Sequence, residues 1–190
     1  LTSVYDETGF IMVLFAVGVC MLLGMNDMTA ASVSLEGRSL WIMQMLPVDT
    51  HKMLMAKAAV QIILSGAASL ICSLCIIAVV KPGLYDAVIF ILLVLIYTVA
   101  LSFFGLVLNL KRPNLTWTSE TAPIKQSLAV TVALFGSWLY TVITAAGFYL
   151  LREYISASVY MTIFSAVTAG LCVVMYCWLR TRGAKVFESL

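Results

Sequence analysis

Few side chains in this sequence could do acid–base or metal chemistry together. Asp27, Glu36, Asp49, His51 and Glu120 lie between the apolar runs, and surface chemistry would need such groups to converge as acids, bases or metal ligands. None falls into a D-x-x-D, H-x-x-x-x-D or H-E-x-x-H arrangement, so metal-assisted lipid chemistry lacks its usual spacing. Cys72 and Cys75 form a C-x-x-C, but no second pair or nearby histidine completes a site. With Cys20, Cys172 and Cys177 they lie inside apolar runs and read as small hydrophobes. No G-x-x-x-x-G-K-[ST] loop is present to cradle nucleotide phosphates. The sequence therefore offers no catalytic, cofactor-binding or metal-ligating residue, and His51 beside Lys52 reads as a solvated residue at a helix start.

The elements that carry these groups are hydrophobic. Of 190 residues, 63% are apolar and 11% charged, against roughly 45–50% and about 25% in a soluble domain. Five windows, about 9–25, 57–80, 87–110, 128–150 and 158–179, are long enough for a hydrocarbon core that takes about 20 residues to cross. The predicted fold is an all-α polytopic membrane helix bundle, one transmembrane domain over residues 1–190 with about five transmembrane helices. Arg38, Lys52, Lys57, Lys111, Arg112, Lys125, Arg180, Arg182 and Lys185 follow the first, third and fifth runs, and Lys81 and Arg152 the other two. Basic residues are retained on the cytoplasmic side, which places the N-terminal end of the segment outside and both long loops and the C-terminus in the cytoplasm. The net charge of +2 gives no footprint for nucleic acid. The opening LTSVYDETGF has no initiator Met and no basic region of a secretory signal; we expect the C-terminal portion of a longer membrane protein.

No Asp, Glu, Lys, Arg or His stands at the middle of a run, where Gln61, Ser69, Thr141 and Thr144 are the most polar residues. Ionisable groups at depth are costly and are kept where ions or protons move. Their absence predicts that any energy source for transport lies in another chain.

The stretch between the first two runs, SLEGRSLWIMQMLPVDTHKML, is too apolar for a simple loop. Residues 35–46 suit a helix lying at the membrane interface. Pro47 disfavours helical backbone at Leu46, and Asp49 can cap a new helix from Thr50 through Lys57 into the second run. The prediction is a surface helix, a corner and a long helix.

Glu36, Gly37, Leu40, Trp41, Leu46, Pro47, Val48 and Lys57 resemble the segment after an early core helix in permeases of the type 2 ABC exporter family. Asn109, Leu110, Pro113, Asn114, Trp117, Lys125, Gln126 and Ser127 are similar to an Asn-Leu, Pro, Trp, Lys-Gln-Ser pattern of one exporter branch, with Asn114 replacing its usual acidic residue. With the tail RTRGAKVFESL, the resemblance covers the chain in order. It implies a permease of a bacterial cytoplasmic membrane whose cytoplasmic coupling helix docks on a separate ABC ATPase subunit. ATP and Mg would be bound by that partner, with no cofactor in this chain, and a second permease copy is expected. Leu40, Trp41, Met43 and Leu46 would then form the anchor, Glu36 and Arg38 its rim, and Pro47 and Asp49 a stiff corner. Pro113, Trp117 and Lys125 mark the second cytoplasmic loop, as interface anchors or as partner contacts. Two other readings stand beside it: a non-transporting assembly or sensor subunit, and a membrane-bound lipid-modifying enzyme. Scattered hydroxyls in apolar spans suit a lipid, a peptide or a drug-like amphiphile equally.

Overall fold

In this computed structural model the described residues are 7–45, 47–115, 117 and 127–188, without the side chains of Glu7, Arg38, Trp41, Met43 and Gln44. The described residues form helices and turns, with no strand. They are α1 (Glu7–Leu23), α2 (Thr29–Ser32), a 3-10 segment (Ser34–Ser39), α3 (Leu40–Met45), α4 (Thr50–Val80), α5 (Leu84–Lys111), α6 (Leu128–Leu151), α7 (Ala157–Trp178), a π-helical turn (Leu179–Gly183) and α8 (Ala184–Glu188). Four helices, beginning at Thr50, Leu84, Leu128 and Ala157, are long and apolar enough to cross a bilayer. This is an all-α membrane protein. α1 is apolar but shorter, about 25 Å long at 1.5 Å per residue.

The long helices run alternately up and down, so the bundle has two unlike ends. At one, α4 stops in a tight turn. Lys81 takes a left-handed conformation (φ 50°), and its N–H bonds back to the Ile77 carbonyl. α6 and α7 join nearby through residues 152–156. The opposite end holds residues 34–49, the loop after Lys111 and the end of α7; Lys52, Lys57, Lys111, Arg112, Arg180, Arg182 and Lys185 cluster there, and it is called the basic end below.

α5 is the hub, packed against α1, α2, α4, α6 and α7. Its upper half meets Met12, Cys20, Tyr160, Met161 and Phe164 in one apolar cluster. Its lower half, through Leu106 and Leu110, meets Val33, Leu40, Leu54, Ala58, Leu179 and Phe187 in another. The side chains that α4 buries are mostly small or polar (Ala58, Gln61, Ser65, Ser69, Ser73). Ser65 and Ser69 fall one turn apart, a spacing that lets neighbouring backbones approach where hydrophobicity gives no driving force.

The first apolar run, expected to span over 9–25, forms a shorter helix than the other four. α1 ends at Leu23, where the indole N–H of Trp138, well inside α6, donates to the Met21 carbonyl (3.3 Å). Residues 24–28 form a turn in which Met25, Asn26 and Met28 are exposed, and the short α2 that follows packs against α4, α5 and α6. In and just after α2, Thr29, Ala30, Ala31 and Val33 are buried.

The elbow also differs from the sequence expectation. A single helix over 35–46 does not form: the backbone turns at Gly37 (φ 47°, ψ −120°), dividing a 3-10 segment from α3. That conformation is strained for any residue with a Cβ. Beyond Pro47, the expected cap is present, with Asp49 accepting from the His51 N–H (3.0 Å) as α4 begins at Thr50.

Candidate functional site at the basic end

The two stretches singled out in the sequence meet in space. Ser34, fully buried, donates from its hydroxyl to Asn109 Oδ1 (2.9 Å) and accepts there from the Asn114 N–H (3.0 Å). Its carbonyl accepts from the Trp117 indole N–H (2.7 Å). Asn109, also fully buried, donates its amide to the Ala30 carbonyl. One asparagine on α5 thus holds the Ala30 carbonyl on one side of Val33 and the Ser34 hydroxyl on the other, and the loop after α5 closes over it. Trp117 lies flat against Gly37, where an added Cβ would come within 2.9 Å of the indole nitrogen. The turn therefore needs glycine twice over, for its dihedrals and for the indole.

Glu36 and Lys57 form a salt bridge with little solvent exposure, and Lys57 also reaches the Ser32 carbonyl (3.4 Å). This ties the elbow to the first turns of α4. Removing one member of a partly buried pair costs more than an exposed ion pair contributes, because the other charge is left without a partner. At the start of α4, the Thr50 hydroxyl donates to Glu188 of α8 (2.7 Å), and His51 stands edge-on to Tyr176 of α7 (5.5 Å between ring centres). The elbow is joined by side chains to α4 and α5, and through α4 to α7 and α8.

The predicted anchor residues separate. Leu40 is only 4% exposed and packs inside this chain's own core, so it is not available to a partner; turning at Gly37 aims it inward. Glu36 is engaged by Lys57 rather than standing free at a rim. Pro47, Val48 and Asp49 are exposed at the corner, and Pro113 is half-buried beside the Asn114 contact. The side chains of Arg38, Trp41 and Met43, and all of Leu46 and Lys125, lie outside the described residues. What faces outward is an apolar edge: Leu35, Ile42, Val48 and Met45, the last 75% exposed. The expected anchor was Leu40, Trp41, Met43 and Leu46, and none of these four is in the exposed edge formed by the described residues. Ser34 was missed outright, since a serine in a polar loop carries no signal of a partner 75 positions away.

A second polar layer lies at the turn between α1 and α2. Gln61 of α4 accepts from the Thr29 N–H (2.9 Å) and donates to the Asn26 carbonyl (3.0 Å). Asn26 donates to the Ser65 hydroxyl (3.0 Å), and the Ser102 hydroxyl donates to the Ala58 carbonyl (2.9 Å). Asp27 is different. Both carboxylate oxygens are buried and have no hydrogen-bond partner among the described residues. They press on α5 at Gly105, where an added Cβ would meet Asp27 Oδ1 at 2.5 Å and Thr29 Oγ1 at 2.6 Å. Gly105 is about 9 Å along the axis from the end of α5. The middles of the long helices hold no charged residue, and this carboxylate sits in the turn before α2, against the last third of α5.

Among the described residues, no group of His, Cys, Asp and Glu is placed to share a metal ion. No family model, characterised protein or solved structure matches the chain, so its role is inferred from these two polar layers and the apolar edge beside them.

Proposed function

We propose that this chain is the membrane-spanning permease subunit of an ATP-driven ABC exporter, in a bacterial cytoplasmic membrane with the basic end in the cytoplasm. The observation that carries the reading is mechanical. An exposed apolar edge, Ile42, Met45 and Val48, stands on an elbow fixed to α4 and α5 through Ser34–Asn109–Trp117 and Glu36–Lys57. A partner that covers the edge therefore moves whole helices rather than a loose loop. The partner is an ABC ATPase subunit, which binds ATP and Mg; this chain supplies the handle and the path, and a second permease copy completes the pair. Burial of Ile42, Met45 and Val48 against the partner would remove their apolar surface from solvent or lipid headgroups and so favour the contact.

The same apolar edge also suits a second reading, in which the elbow lies on the membrane surface and merely orients α4 within an assembly or sensor subunit. Met45→Glu separates the two. Met45 is largely free of contacts within this chain, so the fold should survive and its melting temperature in detergent should stay within about 1 °C. If the edge docks, co-purification with the ATPase and ATP-dependent transport both fall at least tenfold. Unchanged association and transport would overturn the exporter reading in favour of the surface one.

A further inference from the structure

We infer that the cleft between α5, α6 and α7 seats one anionic phospholipid, its acyl chain in the cleft and its phosphate against Lys111. This inference needs only a bundle that crosses a bilayer and does not rest on the ATPase partnership.

The cleft measures about 210 Å³, with Tyr97 and Phe104 of α5 at its floor, Gly136 and Tyr140 of α6 on one side and Leu171 and Met175 of α7 on the other. A cavity of ~150 Å³ in an apolar protein interior already holds benzene, so this one has room for a run of methylene groups. α6 and α7 touch only sparsely, and Leu171, on the wall between them, is 39% exposed. Gly136 keeps the α6 wall open, since a Cβ there would press on the Phe104 ring at 3.1 Å.

The polar groups along these walls are already engaged. The Tyr97 hydroxyl donates to the Ser137 carbonyl (3.2 Å) and pairs with Thr141 (2.8 Å), while Tyr140 pairs with Thr168 (2.9 Å). The Ser137 and Thr168 hydroxyls donate to the Leu134 and Phe164 carbonyls, each at 2.8 Å. No charged side chain lines the cleft. Tyr97 and Tyr140 stand near the middles of α5 and α6, so the cleft lies at the depth of bilayer hydrocarbon. An acyl chain suits it, whereas a polar solute would lose its hydration and gain no partner.

A cation stands beyond the cleft, between two of the same helices. Lys111 follows Phe104 by seven residues, which is two turns along the same face of α5 and about 10 Å nearer the basic end. Trp178 follows Met175 by three and shares its face of α7. The Lys111 ammonium lies 5.2 Å from the centre of the Trp178 ring. Charge and cleft therefore lie on one side of the α5–α7 contact, and the pair Phe103–Tyr176 lies on the other. Lys111 is exposed and has no acidic partner among the described residues. A tryptophan and a lysine at the end of a crossing mark the headgroup level, and a basic residue there attracts anionic lipid. The spacing of charge and cleft is that of a phosphate and the chain hanging beneath it.

The test uses the full chain in phosphatidylcholine nanodiscs without any ATPase. The probe is a phosphatidylglycerol with a photoactivatable diazirine halfway along one acyl chain, and a diacylglycerol with the same chain is its phosphate-free match. As probe content rises, phosphatidylglycerol labelling of Met175 should saturate. Labelling of Val173, 61% exposed on the opposite face of α7, should rise in proportion. Lys111→Gln should lower phosphatidylglycerol labelling of Met175 about fivefold, the share of one basic residue near an anionic surface, and leave diacylglycerol labelling unchanged. Leu171→Trp should cut Met175 labelling by both probes and spare Val173. Excess inorganic phosphate should displace nothing. Should a variant not fold, the wild-type comparison of Met175 with Val173 decides. Met175 labelling that rises in proportion, as for lipid that merely surrounds the bundle, an undiminished signal in Lys111→Gln, or displacement by phosphate overturns the proposal.

Discussion

The two ends of the bundle are held by different means. At the end where α4 turns into α5, the helices are regular and ring packing dominates: Phe148 packs between Phe10 and Tyr160, with Phe90 and Met161 in the same cluster, and Tyr85 and Tyr160 add hydrogen bonds to the Thr162 hydroxyl and the Thr144 carbonyl. At the basic end the chain leaves helical geometry repeatedly, at residues 24–28, at Gly37 and at Pro47, and buried hydrogen bonds take over. Each departure frees backbone groups from intrahelical bonding, and each finds a side chain to answer it: Gln61 for the break after α1, Asn109 and Trp117 for the elbow, and Asp49 for the start of α4. Polar side chains at the basic end thus answer backbone freed where regular structure fails, whereas between the regular helices hydroxyl pairs such as Tyr85–Thr162, Tyr97–Thr141 and Tyr140–Thr168 supplement apolar packing.

Substitutions that remove one cross-link sharpen this contrast. The largest effect is expected for Asn109→Ala, which strips partners from the Ala30 carbonyl and the Ser34 hydroxyl in a buried site. The expected loss is about 3 kcal/mol, read as a shift of the unfolding midpoint in mixed micelles. A smaller loss, about 1–2 kcal/mol, is expected for Trp117→Phe, which keeps most of the ring against Gly37 but deletes the bond to Ser34; a wild-type midpoint would show that the indole N–H is not needed. Opposite in sign and smallest is Lys81→Gly at the other end. It relieves a left-handed conformation unfavourable to a residue with a Cβ and should stabilise by about 0.5–1 kcal/mol. If Lys81→Gly destabilised the protein as much as Asn109→Ala, the proposed division of labour between the ends would fail.

Much of the scaffold could be read from the sequence, because apolar run length and the positions of Lys and Arg are local signals. The corner is also local chemistry: Pro47 cannot continue a helix and Asp49 can begin one, and α4 does start at Thr50. The elbow's internal geometry was not legible. Its pattern of apolar residues fits one amphipathic helix, and only the contact of Gly37 with Trp117, from a distant loop, shows why the chain turns there instead. That turn sends Leu40 inward and leaves Ile42 and Met45 outward, reversing part of the expected anchor. The break after α1 was hidden for a related reason. Residues 9–25 look like an ordinary span, and the groups that stabilise an early stop, Gln61 and Trp138, come from helices far along the chain. Asp27 was visible as an acid, but its burial against Gly105 depends on that break.

The wide turn at Leu179–Gly183 sets the rotational phase of everything after it. In an unbroken α-helix, eight residues of advance carry Phe187 about 80° around the axis from Leu179. Accommodating one extra residue in a π turn winds the later segment back by about 100°, and both side chains end up in the same lower core. The terminal segment is therefore indexed to the bundle by a single surplus residue. Shortening the chain by one position inside that turn would keep Phe187 at its seat, whereas the same deletion one turn further on would swing it toward solvent.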